Sequence, residues 1–275
     1  MKNGPMHRSK LLDCITFFDN NLMFEIRYNI LSEFIDYFVI CESKFDHKGN
    51  PKNQNFIFKD YYDKQKIKYS LVDKPFPKNT NRWENQAIQR EELLKQLNFA
   101  DPDDYIFFSD PDEIINPKIL QNFSLNKKYG IFLQNCFNYK FNLFNPYESP
   151  WEGTRVARKK DIKSIDDLRQ KIKSKNLKYA FYRIDKEKNI ELFDEGGWHF
   201  NNILTIKEIS LKLKTFAHSE FSGPEYSDEE IISKKIENKI DLFNRGHRYK
   251  VVNLDNSFPK YLRDNIEKYK KFLLV

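Results

Sequence analysis

The sequence of 275 residues contains 47 Lys and Arg against 40 Asp and Glu, a net charge of +7, and 40% of its residues are hydrophobic. This apolar content is enough for a large core and excludes intrinsic disorder over most of the chain. Only 8 glycines accompany 25 Phe and 15 Tyr, which excludes glycine-rich fibres and repeated glycine phosphate loops.

The positive charge is concentrated in the second half of the chain. Residues 1–150 hold 20 basic and 20 acidic side chains, whereas residues 151–275 hold 27 basic and 20 acidic ones. Within that half, residues 155–188 hold 13 basic and 5 acidic side chains. Such a region is typical of contact with an anionic partner, but it is also typical of a solvated helix face.

Three well-separated cysteines, Cys14, Cys41 and Cys136, lie in apolar runs. This placement predicts buried free thiols and a reducing compartment. Neither a run of 18 apolar residues nor an apolar signal core in the first ten residues is present, so we predict no membrane span and no secretory signal. We expect a cytoplasmic protein whose basic half suits a peripheral position on the inner face of a membrane.

The first part of the chain alternates between apolar runs and amphipathic segments. The predicted elements are strand 11–18, helix 22–35, strand 37–41, strand 67–72, helix 83–97 and strand 105–108. This alternation predicts an α/β fold with a mostly parallel sheet and right-handed crossovers.

The pattern changes after residue 114. Residues 129–144 are aromatic and partly alternating, which predicts antiparallel strands on or near a sheet edge. Helical periodicity predicts four further helices, at residues 164–174, 206–216, 228–243 and 259–273. Because no linker rich in Pro, Gly or Ser interrupts the chain, we predict a flexible N-terminus at 1–10 and a single domain at 11–275 with a helical C-terminal portion.

The sharpest motif is the run of acids that follows the strand at residues 105–108. Asp110, Asp112 and Glu113 lie within four positions, at the carboxyl edge where α/β sheets bind ligands. Mg²⁺ or Mn²⁺ would relieve the repulsion between these carboxylates, because both ions prefer hard oxygen ligands. A helix N-cap is the alternative explanation of the same residues.

A second motif, Gly196-Gly197-Trp198-His199, contains two of the eight glycines side by side. Adjacent glycines allow close approach of the backbone to a ligand. Trp198 offers a stacking face, and His199 offers a metal ligand or a proton carrier. For the motif taken by itself, a tight turn around a packed tryptophan is the simpler explanation. Glu195, just before the motif, is a further catalytic candidate.

Two further segments carry candidate side chains. His218 and Glu220 could point into a cleft together from an extended segment, as a base and a metal or phosphate ligand, although the end of a helix explains His218 as well. Arg90, on the helix before the acidic strand, could reach a phosphate, anchor the acidic loop or form a surface ion pair.

In order and spacing, eight segments resemble glycosyltransferase family 17 and together reach from residue 13 to about residue 262. The segments are DCITFFDNNLMFEIRYNIL, DYFVICES, WENQAIQR, DDYIFFSDPDEI, WEGTRV, GGWHF, KLKTFAHSE and FPKYL. The resemblance implies a GT-A-like fold, with residues 11–128 as the nucleotide-sugar-binding half and residues 129–275 as the acceptor-side half.

The resemblance also implies a chemistry: inverting, metal-dependent transfer of a sugar, with UDP-GlcNAc the expected donor and a glycan or glycolipid the acceptor. It implies that Asp112 binds the metal directly, that Asp110 lies nearer the ribose or a metal-bound water, and that His199 is the third metal ligand. It also implies that Lys212 neutralises the diphosphate and that Glu220 is the general base. We add Arg90, Gly197, Trp198 and His218 as contacts of the donor.

Two other functions compete with this interpretation. Asp110, Asp112 and Glu113 could hold the metal of a phosphodiesterase or nuclease, with the basic region 155–188 binding nucleic acid. A non-catalytic glycan-binding relative is the other alternative. We favour the transferase, which predicts an anionic acceptor or a lipid surface, and no nucleic acid, opposite the basic half of the chain.

Overall fold

The computed structural model describes residues 8–215 and 223–274. These residues form two compact units. Unit 1 comprises residues 8–111, 118–131 and 154–193, and unit 2 comprises residues 112–117, 132–153, 194–215 and 223–274. None of the helices within the described ranges combines the length and the apolar character needed to cross a membrane. The division of the domain into functional halves at residues 128 and 129 stays a prediction.

Ten strands and eight α-helices are found in the described residues. In chain order they are β1 (Leu11–Phe17), α1 (Asn21–Leu31), β2 (Tyr37–Ser43), β3 (Ile67–Val72), α2 (Arg82–Gln96), β4 (Tyr105–Ser109), β5 (Glu113–Ile115), α3 (Pro117–Leu120), β6 (Tyr129–Asn138), β7 (Leu143–Phe144), β8 (Trp151–Arg158), α4 (Ile165–Lys171), β9 (Ile190–Asn201), α5 (Ile206–Thr215), α6 (Pro224–Ser227), α7 (Glu229–Glu237), β10 (Lys250–Val251) and α8 (Lys260–Asp264).

Unit 1 is built on a mostly parallel sheet with the strand order β8-β4-β1-β2-β3. Strands β4, β1, β2 and β3 run parallel, and only β8 is antiparallel to its neighbour β4. The chain forms β1, β2 and β3 in succession and then returns to add β4 on the other side of β1. This order confirms the predicted α/β fold and creates a switch point between the carboxyl ends of β1 and β4.

Helix α1 shows why the sequence folds as it does in unit 1. Asn20 caps the helix by accepting a 3.0 Å hydrogen bond from the backbone N–H of Met23, as a side-chain amide does at an N-cap. Phe24 then packs against Phe38 of β2 and against Phe56, with ring centroids 6.0 Å and 4.9 Å apart. Burial of these rings fixes the apolar face of the helix on the sheet.

Unit 2 combines short antiparallel strands with helices. Strand β7 pairs antiparallel with β6 and β10, and β5 pairs antiparallel with β9. One hydrophobic core joins strand and helix residues, and its buried members are Tyr139, Leu143, Ile209, Leu213, Ile232, Ile236, Leu242 and Tyr249. The helices of the second half therefore bury apolar faces as their 3.6-residue periodicity predicts.

The structure differs from the predicted elements at several boundaries. Helix α7 ends at Glu237, six residues before the predicted end, and the predicted helix at 259–273 consists of α8 followed by a 3₁₀ segment at Ile266–Phe272. Strands β8 and β9 were not predicted. The acidic run does not begin a helix, because strand β5 starts at Glu113, directly after Asp112.

Candidate active site

Asp110 follows the last residue of β4, at the switch point of the parallel sheet of unit 1. Three arginines from different elements surround it. Arg169 of α4 places Nη2 2.6 Å from Oδ2 of Asp110, and Arg90 of α2 places Nη2 3.5 Å from Oδ1. Arg27 of α1 donates from Nη2 to the backbone carbonyl of Asp110 at 3.2 Å.

The arginines at Asp110 are buried and serve further partners. Arg90 is 3% exposed and also contacts Asp166 at 2.8 Å, while Arg27 is fully buried and lies 3.3 Å from Asp13. Arg90 therefore anchors the acidic segment, which is one of the roles predicted for it. Buried ion pairs of this kind hold a carboxylate in one orientation, because moving it would leave a buried charge without compensation.

A second polar group lies beside the carboxyl ends of β1 and β2. The side chain of Gln89 is buried and donates from Nε2 to the backbone carbonyl of Cys41 at 3.0 Å. Its Oε1 accepts a hydrogen bond from His47 Nε2 at 2.9 Å. Burial lowers the pKa of His47 despite this hydrogen bond, so the imidazole is held neutral near the switch point.

In unit 2, the ladder between β5 and β9 brings the two sequence motifs together. Glu113 pairs with His199, Ile114 with Trp198 and Ile115 with Gly197. The backbone N–H of Phe200 donates to the carbonyl of Asp112 at 2.8 Å and extends the ladder by one residue. Asp112 and His199 are thus neighbours because of backbone pairing, which the sequence does not display.

The Asp112 carboxylate and the His199 imidazole form a close pair. Oδ1 of Asp112 lies 3.6 Å from Nε2 of His199, and the two side chains are 22% and 8% exposed. Burial acts to raise the pKa of Asp112, but the charge and hydrogen bond of His199 lower it to about 2. Burial likewise acts to lower the pKa of His199, and the Asp112 carboxylate outweighs it and raises that pKa above its usual range.

Two other side chains fix the orientation of His199. The ring of Trp151 stacks on the imidazole with centroids 4.7 Å apart and planes inclined by 29°. Sγ of Cys136 lies 3.6 Å from Nδ1, the ring nitrogen remote from Asp112. The imidazole therefore presents Nε2 to Asp112, as a side chain prepared to bind a cation or a proton would.

The glycine pair is explained by backbone packing. A Cβ atom on Gly197 would lie 2.0 Å from the carbonyl oxygen of Ile114, and the residue has a φ of +133°. A Cβ atom on Gly196 would meet the backbone of Leu133 at 2.7 Å. These close approaches are to neighbouring strands of unit 2, and contact of Gly197 with a donor stays a prediction.

Trp198, Glu195 and Lys212 occupy distinct positions in unit 2. Trp198 is buried and donates from its indole N–H to the carbonyl of Ser257 at 3.0 Å, whereas Glu195 is exposed and has a φ of +49°. Lys212 of α5 donates to Oδ1 of Asn202 at 2.6 Å, and its charge contributes to the low pKa of Asp112. Of these three residues, Lys212 is the one coupled to the Asp112 and His199 pair.

The three acids of the sequence motif have separate partners. Asp110 is held by arginines in unit 1, Asp112 lies beside His199 in unit 2, and Glu113 accepts a 2.7 Å hydrogen bond from the indole N–H of Trp151. Among residues 8–215 and 223–274, no group of three or more His, Cys, Asp and Glu side chains could hold a metal ion. Within those ranges, the donor set available to a cation at Asp112 is one carboxylate and one imidazole. His218 and Glu220 lie outside the described residues.

Sequence reasoning missed several residues that the structure places in these groups, and three of them show why. Arg169 is one basic residue among many in the region 155–188, and nothing in the sequence separates it from its solvated neighbours. His47 lies in a polar loop that gives no periodic signal. Trp151 occurs within the WEGTRV segment, but its contact with His199 depends on pairings between strands that the sequence did not predict.

Comparison with known proteins gives one family. The profile described as glycosyltransferase family 17 matches residues 2–275. This match does not support the phosphodiesterase or nuclease alternative. A search of the curated proteins finds no match.

Two solved structures are similar to the chain at low identity. One is a glycosyltransferase involved in the glycosylation of the major capsid of PBCV-1, with 12% identity over 68% of this chain and 82% of that one, and a TM-score of 0.32. The other is HddC from Yersinia pseudotuberculosis, with 11% identity over 67% of this chain and 90% of that one, and a TM-score of 0.32.

Proposed function

The chain belongs to glycosyltransferase family 17, and on that basis we propose that it transfers N-acetylglucosamine from UDP-GlcNAc to a glycan or glycolipid acceptor. The reaction is inverting and forms a β-linkage on a GT-A-like fold. The observation that carries the proposal is the Asp112 and His199 pair, which the β5 and β9 ladder aligns directly after the Asp110-Pro111-Asp112 segment.

The donor set at Asp112 fits a divalent cation, Mn²⁺ or Mg²⁺. Oδ1 of Asp112 and Nε2 of His199 lie 3.6 Å apart, close enough for both atoms to face one cation once the imidazole has given up its proton. An ion such as Mg²⁺ keeps several waters and takes substrate phosphate oxygens, so few protein ligands would suffice.

When bound, the metal neutralises negative charge on the diphosphate as it leaves. Asp112 and His199 would hold it, and Lys212, which already lowers the pKa of Asp112, would add a second positive charge for the diphosphate. In unit 1, Asp110 would face the ribose or a metal-bound water, in an orientation fixed by Arg169 and Arg90. Trp198, Gly197 and His218 are further contacts of the donor in this proposal.

Transfer requires a base for the acceptor hydroxyl. In the proposed step, the acceptor oxygen forms a bond to the anomeric carbon while the bond from that carbon to the diphosphate oxygen breaks. The hydroxyl proton passes to a carboxylate on the opposite face of the sugar. Glu220 is the proposed base, and Glu195, which is exposed in unit 2, is the second candidate.

A donor panel tests the proposal. Purified protein is incubated with UDP-GlcNAc, UDP-GalNAc, UDP-glucose or UDP-galactose, with Mn²⁺ or with EDTA, and released UDP is measured. We expect UDP release from UDP-GlcNAc that requires Mn²⁺, together with a higher melting temperature when both are present. If none of these nucleotide sugars is consumed or raises the melting temperature with Mn²⁺ present, the proposed donor class is wrong.

A further inference from the structure

The segment from Leu177 to Lys186 in unit 1, which we term the apolar loop, exposes a cluster of large apolar side chains. Five such residues lie within eight positions, and their exposed fractions are 40% for Leu177, 37% for Tyr179, 91% for Phe181, 69% for Tyr182 and 95% for Ile184. Single apolar residues on a surface are ordinary, whereas a contiguous group of this size marks a contact surface. We propose that the apolar loop inserts into the interface of a membrane that contains anionic lipids.

The exposure arises from a defined backbone. Successive turns shape the loop, with hydrogen bonds from Arg183 N to Ala180 O at 3.0 Å and from Lys186 N to Arg183 O at 3.1 Å. The ring of Phe181 packs edge-on against Tyr182 with centroids 5.7 Å apart. The turns constrain the backbone that carries these side chains, which lowers the ordering cost of inserting them.

Both ends of the loop are held to the body of unit 1. The buried side chain of Asn176 donates to the carbonyl of Lys171 at 2.8 Å, before the loop. After the loop, the N–H of Tyr129 donates to the carbonyl of Asn189 at 3.1 Å, next to the buried Ile190 that begins β9. A membrane contact made by the loop is thus transmitted to the folded unit.

The charge of the region complements an anionic surface. Residues 171–188 contain seven Lys and Arg against two acids, a net charge of +5. Asp185, one of the two acids, is paired with Arg183 at 2.7 Å and with Lys186 at 3.2 Å, and Glu187 lies 4.0 Å from Lys128. Both acids of this stretch are therefore compensated locally, and the exposed Lys175 and Lys178 leave positive charge at the surface.

The side chains favour lipid over a glycan or an acidic protein as the occupant. Sugars are usually held by aromatic faces combined with polar groups that bind hydroxyls. The two most exposed residues here are Phe181 and Ile184, which have no polar atom. Apolar side chains at a tip with basic residues beside them are the pattern of segments that lie in the headgroup and acyl boundary.

Vesicle co-sedimentation tests the proposal. We compare binding of the full chain to vesicles of phosphatidylcholine alone and to vesicles of phosphatidylcholine with phosphatidylglycerol. We expect binding only to the anionic vesicles, reduced about tenfold or more in the variant Phe181→Ser/Ile184→Ser. The matched control is Ile57→Ser, because Ile57 is 57% exposed in the same unit and lies outside the loop.

The charge contribution is tested separately with Lys175→Glu/Lys178→Glu. We expect this variant to bind anionic vesicles about tenfold or more weakly, because each basic residue near such a surface contributes roughly a fivefold change in affinity. When the Phe181→Trp variant is mixed with anionic vesicles, we expect its fluorescence to shift to the blue and to be quenched by brominated lipid. The blue shift and the quenching respond to insertion and would not occur if Phe181 served only folding.

Several outcomes would overturn the membrane proposal. They are equal binding to both kinds of vesicle, wild-type binding by the Phe181→Ser/Ile184→Ser variant, and binding of dextran sulfate or a polyglutamate peptide without binding of anionic vesicles. A change of oligomeric state in that variant, with vesicle binding retained, would also do so. Hydrolysis of UDP-GlcNAc by water is expected to be unchanged in the loop variants, so failure of the proposed transfer and failure of the membrane contact are distinguishable.

Discussion

Oδ1 of Asp112 and Nε2 of His199 lie 3.6 Å apart because strand β5, which begins at the residue after Asp112, pairs with strand β9. The two residues are distant in sequence, and three adjacent backbone pairs place them together. The main-chain hydrogen bonds align the two backbones, and the side chains of Trp151 and Cys136 hold the imidazole toward Asp112. We expect such a pair to bind a cation with little reorganisation.

Asp112→Asn tests the role of this pair. The amide keeps the shape of the side chain but removes the charge, so we expect transfer to fall about a hundredfold or more and the stabilisation by Mn²⁺ with UDP to disappear. UDP release and the melting temperature measure the two effects. Asp103→Asn is the control, because Asp103 is a 63% exposed acid paired with Lys160. Equal activity of Asp112→Asn and the wild type would exclude Asp112 as a metal ligand.

Arg169→Ala tests the orientation of Asp110. Arg169 is buried and lies 2.6 Å from Oδ2 of Asp110, so its removal leaves a partly buried carboxylate with a weaker partner. We expect a loss of about 1–3 kcal/mol in the free energy of unfolding and a higher KM for the donor. Urea denaturation and donor titration measure these quantities. Lys171→Ala on the same helix, where Lys171 is 71% exposed, should change neither.

Gly197→Ala and Gly49→Ala form a matched pair that separates two effects. Both glycines have positive φ, +133° and +89°, but a Cβ atom on Gly197 meets Ile114 O at 2.0 Å and one on Gly49 meets nothing within 4 Å. We expect Gly49→Ala to cost about 1 kcal/mol and Gly197→Ala about 3 kcal/mol or more. Chemical denaturation measures both, and similar costs would show that the close contact relaxes without penalty.

The neutral state of His47 predicts a pH dependence of stability. Burial lowers its pKa from 6.5, so the unfolded chain takes up a proton at a higher pH than the folded chain does. The contribution of neutral His47 to stability is therefore present when the pH is above the pKa of His47 in the unfolded chain, and it is lost as the pH falls below that pKa. We expect the stability of the wild type to fall more steeply from about pH 7 to about pH 5 than that of His47→Gln. Parallel slopes in urea titrations would contradict this.

Local sequence signals predicted the parallel part of the fold well. Strands β1, β2, β3 and β4 are short and rich in apolar residues, helical periodicity lies between β1 and β2 and between β3 and β4, and each strand lies within two residues of its predicted position. Strands β8 and β9 were missed because their residues mix small, charged and aromatic types, and their extended form depends on pairing with other strands. Helix α7 ends at Glu237 because Lys239 adopts a φ of +61° and the N–H of Ile240 turns back to the carbonyl of Lys235 at 2.8 Å.

The candidate site was predictable in composition and not in arrangement. The sequence pointed to Asp110, Asp112 and His199 as chemically distinctive residues, because acids after a strand and a histidine after two glycines are unusual. It could not assign the acids to separate partners, since that depends on where Arg169 and Trp151 lie. Interactions between residues far apart in sequence leave no periodic trace in a single chain.

The position of Arg27 has a consequence for the order in which unit 1 folds. This fully buried guanidinium contacts Asp13 within β1 and the backbone carbonyl of Asp110 just past β4. A chain that has docked α1 without pairing β1 and β4 would bury this cation with only part of its compensation. Partly assembled chains are therefore penalised at a residue that holds the backbone of Asp110, so the acidic segment takes its position together with the completed sheet.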